Sequence, residues 1–63
     1  MIVETGVPGA ERRRFWALLR LSGGDPPYVV AQWEPSLGQW VKVGGSVIDP
    51  SPDDIPWWVE LED

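Results

Sequence analysis

The chain contains no cysteine and no histidine. Their absence removes disulfides, thiolate chemistry, imidazole bases and the usual zinc ligand sets together. No stretch approaches the ~18 consecutive apolar residues of a membrane span, and the start lacks the basic-then-apolar pattern of a signal peptide. These features predict a cytoplasmic protein with no membrane partner. Asn is missing as well, Lys occurs once, and Gly, Ala, Arg and Pro supply 21 of the 63 residues. That bias reflects GC-rich coding and carries no chemistry.

A chain of 63 residues allows a single small domain spanning 1–63, whose core supplies only a few kcal/mol unless it is stapled or unusually rich in large side chains. With no staple, packing falls to the aromatics, and five Trp are a large supply. Each buried indole removes on the order of 200 Å² from water. At roughly 25 cal/mol per Å², that is ~5 kcal/mol of gross transfer energy before ordering entropy is subtracted. Most of the five are therefore expected to be structural.

Seven Gly and seven Pro divide the chain into short apolar runs separated by turn-rich segments. This spacing predicts strands and a mainly β fold, a small antiparallel meander of about four strands near 14–21, 27–34, 39–43 and 56–62. Segment 11–21 is ambiguous. As a helix it carries Phe15, Trp16, Leu18 and Leu19 on one stripe and stops at Gly23-Gly24, which gives an α+β alternative with one helix on a three-stranded sheet. As a strand it places Phe15, Ala17, Leu19 and Leu21 on one face, with Arg14, Trp16, Leu18 and Arg20 on the other.

Tyr28 to Glu34 and Gln39 to Val43 read as a hairpin around Pro35-Ser36-Leu37-Gly38, with Trp33 facing Trp40 and Glu34 facing Gln39. In that register neither face is cleanly polar. The sheet is expected to be partly covered on both sides, by the chain itself or by a second molecule.

Charge is uneven. Residues 1–20 carry a net +2, and residues 21–63 carry −7, for a total of −5. Such a field weighs against direct nucleic-acid binding and favours a basic protein or ribonucleoprotein surface. Arg12, Arg13, Arg14 and Arg20, interleaved with Trp16, form the basic cluster. Pairing with the acidic C-terminal strand is the simplest role for these arginines.

Catalysis is hard to build from carboxylates, Lys42 and Tyr28 alone. Neither Asp53 and Asp54 nor Glu60 and Glu62 gains from the pattern the burial that a raised carboxyl pKa needs. The chain is expected not to be an enzyme. No cofactor and no metal site is expected, because Asp49, Asp53 and Asp54 lack calcium-loop spacing.

Alternation in the terminal strand sets Ile55, Trp57, Val59 and Leu61 against Trp58, Glu60 and Glu62. If the first set is core, an indole lies among carboxylates on the exposed face. Trp58, Glu60, Glu62 and Asp63, with Asp53 and Asp54, are therefore the candidate partner-binding residues. The competing role for Trp58 is to cover a second small core beneath the N-terminal segment.

The order Val3-Glu4-Thr5-Gly6-Val7-Pro8, Phe15 to Leu21, Tyr28 to Trp33 with Gly38-Gln39-Trp40, and Ile55 to Glu62 resembles a family of short phage and prophage proteins of unassigned function. The chain departs from that pattern at Trp57, where His is common, at Val59, where Met is common, and at Glu62, where Pro is common. The resemblance implies a small antiparallel meander and a phage-related origin. Size, charge and that origin together suggest by analogy an anti-CRISPR-like protein, one that inhibits a host defence complex by occupying its basic nucleic-acid-binding surface. The alternative is an accessory phage protein that self-associates, as a homodimer for example, through an exposed aromatic face.

Overall fold

Segment 11–21, which pattern alone leaves open between helix and strand, contains a strand and no helix in the computed structural model, which describes residues 2–9, 11–24 and 26–61. Phe15–Arg20 (β2) pairs with Tyr28–Glu34 (β3) on one side and with Trp57–Glu60 (β6) on the other. Ladders on both flanks satisfy its backbone, and this tertiary pairing overrides the helix propensity of its Ala, Leu and Arg. The described residues contain no helix, so none is long and apolar enough to cross a membrane.

The β3 hairpin partner is Gln39–Lys42 (β4), in the expected register of Trp33 opposite Trp40 and Glu34 opposite Gln39. Both Leu37 N–H and Gly38 N–H donate to the Glu34 carbonyl, at 3.1 and 2.9 Å. Gly38 closes the turn at φ +64°, a left-handed conformation that glycine adopts without a Cβ clash.

Two further strands bring the total among the described residues to six. Val3–Glu4 (β1) pairs with β6, and Val47–Ile48 (β5) pairs with β4. Neither is visible as a pattern, because a two-residue strand contains a single alternation. All pairs are antiparallel, in the order β1-β6-β2-β3-β4-β5. A consecutive meander from β2 to β5 is thus closed by a final strand that returns beside its first member. The sheet curls about one face: its extents of 29 × 26 × 23 Å are far from the thin slab of a flat layer.

That inner face carries the core. Phe15, Ala17 and Leu19 on β2 share it with Ala31 and Trp33 on β3, Trp40 on β4 and Trp58 on β6. The rings touch one another. Trp40 lies edge-on to Phe15, Trp33 and Trp58 at centroid separations of 5.6, 5.2 and 5.5 Å, the geometry that aromatic quadrupoles favour. Ala17 and Ala31, facing each other, leave room for the indoles.

The link from β5 to β6 is a tight coil. Ser51 N–H donates to Asp49 Oδ1 at 3.0 Å, and Asp54 and Ile55 N–H donate back to the Ser51 carbonyl at 3.0 and 2.9 Å. The coil turns Ile55 into the core just before Pro56 starts the last strand.

The terminal strand corrects one expectation. Its alternation holds and Val59 is buried at 4% as expected, but it is the Trp58 side that faces the aromatic core. Trp58 lies inside at 2% exposure, and Trp57 lies on the outer face, half-buried. Register decides this, since Leu19 stands opposite Trp58 and both point to the core. Ile55 reaches the core from the coil, so it does not mark the buried face of the strand.

Candidate functional site

Trp58 is therefore an interior side chain. Its Nε1–H donates to the Gly6 carbonyl at 2.8 Å, under the N-terminal segment, and its ring meets Phe15 and Trp40. An indole so enclosed presents no surface to a partner. Its neighbour Glu60 is exposed but forms an ion pair with Arg12. The Arg12 guanidinium also lies 4.4 Å from the Phe15 ring centroid and 5.9 Å from that of Trp58, so it caps the open end of the aromatic core by cation–π contact. This is the expected pairing of an N-terminal arginine with the C-terminal strand. Arg14 pairs elsewhere, with Glu34 at 2.8 Å.

Asp53 and Asp54 are exposed in the coil before β6, with Asp49 at its start. Glu62 and Asp63 lie outside the described residues. The candidate array of an indole among carboxylates is therefore not assembled: Trp58 is enclosed, and Glu60 is partly neutralised. Glu34 has its carboxyl pKa held below the ordinary value, chiefly by the hydrogen bond from Arg14 and then by that from Ser36. This shift keeps it ionised and runs opposite to what a general acid needs.

What the sheet does assemble is an apolar outer face. Register places Leu61, Trp16, Gln32, Val41 and Val47 along one row across the strands, since Leu61 N–H donates to the Trp16 carbonyl at 2.9 Å and Trp16, Gln32, Val41 and Val47 pair in turn. The next row is Val3, Val59, Leu18 and Val30. Arg14 and Glu34 bound these rows at one end, and Trp57, Arg20 and Tyr28 bound them at the other.

Val3, Trp16, Val30, Val47 and Leu61 are all exposed, at 38% or more. Leu18 and Val41 between them are half-buried and Val59 is buried at 4%. Single exposed apolar residues are ordinary, but several on adjoining rows of one face mark a candidate interaction site. Beside Trp16 opens a groove of about 740 Å³, lined by Arg13, Arg14, Gln32 and Leu61 among others. The untidy polarity of the hairpin faces was the available signal for this patch. On β2, Trp16 and Leu18 extend the same face.

No protein-family model matches the chain, and no curated protein or solved structure compared with it matches either.

Proposed function

We propose that this chain is a non-enzymatic binding protein whose contact surface is the outer face of its sheet. The observation that carries the reading is the set of exposed apolar side chains on this face, Trp16 and Val30 on the central strands with Val3, Val47 and Leu61 around them, beside half-buried Leu18. Leaving such side chains in water forgoes on the order of 1.5 to 3 kcal/mol each for full burial. A partner laid over the rows recovers part of that. A photo-crosslinking amino acid at Val30 tests the proposal in the native host. We expect a discrete protein adduct there and none from the same group at Leu37, which is also exposed but lies at the hairpin tip. Equal adducts at both positions, or none at either, count against it.

The acidic coil favours a second, more specific reading. Asp49, Asp53 and Asp54 stand exposed on a proline-stiffened loop, whereas Glu34 and Glu60 are matched by arginines. This segment supplies long-range attraction toward a basic surface. We infer a phage-type inhibitor of host defence that occupies such a surface on a nucleic-acid-binding effector. Its test is biological: expression in a host with active CRISPR immunity should restore plaque formation by a targeted phage. The reversals Asp53→Lys and Asp54→Lys should remove that effect.

A further inference from the structure

We propose that the outer face binds a second copy of this chain, across a two-fold axis that runs parallel to the strands between β2 and β3. The inference rests on the outer face being a contact surface and names its occupant. Three outward positions of β2 stand opposite three of β3, Trp16 by Gln32, Leu18 by Val30 and Arg20 by Tyr28, and Arg14, just before β2, forms an ion pair with Glu34. These two strands are the central pair of the six. Rotation about an axis along their midline lays β2 of one copy over β3 of the other without changing level along the strands. Leu18 then meets Val30 of the second copy, Trp16 meets Gln32 beside the groove, and each contact occurs twice, as an isologous interface requires.

Charge selects this axis over its rival. A two-fold axis perpendicular to the strands would reverse the levels and set Arg14 against Arg20 of the second copy, burying like charges. With the axis along the strands, Arg14 meets Glu34 in both directions. The two intramolecular ion pairs become an alternating quartet. At the other end, the guanidinium of Arg20 already lies 5.1 Å from its own Tyr28 ring centroid, and it meets the second copy's ring as well.

The face also carries little of the chain's negative charge. Arg14, Arg20 and Glu34 sum to +1 there, on a chain of net charge −5. Two sheets stacked this way fall in the aligned class of sheet packing, ~10 Å apart. Stable interfaces cover on the order of 800 Å² per partner, which is about a fifth of the 4248 Å² accessible surface. The curl of the sheet limits contact to the central strands, so the expected dimer is weak, with dissociation in the micromolar range.

Sedimentation velocity on the purified chain, from about 1 μM to about 1 mM, tests this directly. We expect a concentration-dependent monomer–dimer equilibrium, and at least a tenfold weakening in Val30→Lys with an unchanged near-ultraviolet circular dichroism spectrum. The register is tested by two charge variants. Arg14→Glu leaves two acids at that level and Glu34→Arg leaves two arginines. Each should be monomeric alone, and their equimolar mixture should form heterodimers.

This complementation cannot arise from the intramolecular pair, which both variants lack. A wild-type chain that stays monomeric to about 1 mM overturns the proposal, as does a dimer indifferent to both Val30→Lys and the charge variants. If the chain is monomeric yet Val30 crosslinks to a different protein, the second copy is refuted and the binding surface stands. If the chain is monomeric and Val30 gives no adduct, both fall.

Discussion

The two faces of this sheet carry apolar side chains in similar density and meet opposite fates. On the inner face, Trp33, Trp40 and Trp58 are each at most 2% exposed and lock edge to face. On the outer face, Trp16, Val30, Val3 and Val47 stand at 39 to 56%. The difference is one of shape rather than hydrophobicity. Curling a six-stranded sheet brings one set of side chains together and spreads the other apart, and large rings fill the enclosed side. Stability resides inside, and the surface left outside is the proposed contact face.

Removing an inner ring should break the fold. Trp40→Ala takes away the indole that touches Phe15, Trp33 and Trp58, at a cost of ~3 to 5 kcal/mol. That is comparable to the whole stability expected of so small a core. Loss of the near-ultraviolet circular dichroism bands at 25 °C is the expected result.

Trp58→Phe is milder. It keeps most of the ring and gives up the hydrogen bond to Gly6, costing about 1 to 2 kcal/mol in urea titration, partly because the Gly6 carbonyl loses its partner. Trp33→Phe should cost less than this, although both residues are equally buried. Trp33 Nε1 has no hydrogen-bond partner among the described residues, so the substitution removes an unsatisfied donor together with some apolar area. A larger loss at Trp33 than at Trp58 would show that ring volume, and not the hydrogen bond, ranks the inner positions.

The outer face should tolerate what the inner one does not. Val30→Thr keeps the β-branch on a half-exposed strand position and is expected to move monomer stability by less than ~0.5 kcal/mol, while weakening association at high concentration. The smallest effect is electrostatic. Glu34 has a folded pKa below its ordinary value of 4.5. Its contribution to stability is therefore complete above pH 4.5 and fades as pH falls through the lower folded value. Glu34→Gln should flatten the acid limb of the stability profile below pH 4.5, and leave the profile above it parallel to wild type.

Much of the fold was legible before the structure. The hairpin of β3 and β4 could be read with its register because Pro35 and Gly38 mark a turn and Trp33 and Trp40 flank it symmetrically. The existence of β6 followed from its alternation. The edge strands β1 and β5 were not legible, since two residues contain no period. The terminal strand was legible as two sets of side chains but not as inside and outside. Trp57 and Trp58 are chemically alike, and Ile55, the apparent guide to the core, enters it from a coil before the strand begins.

The candidate site followed the same division. Trp58, Glu60 and the acids around them form a contact site only if Trp57 faces inward. The Trp58 side faces the aromatic core instead, which encloses Trp58 and leaves Glu60 to Arg12. The patch on Trp16, Leu18 and Val30 emerged only when β2 was set beside β3.

Composition and alternation alone decide that this chain forms short strands without disulfides, and that indoles fill its core. They also decide the charge difference between its two halves. Only the assembled sheet decides which indoles are interior and which apolar rows remain in water. Alternation is symmetric between the two faces of a strand, and that symmetry is broken by pairing: Leu19 opposite Trp58, and the curl of six strands around them, choose the inside.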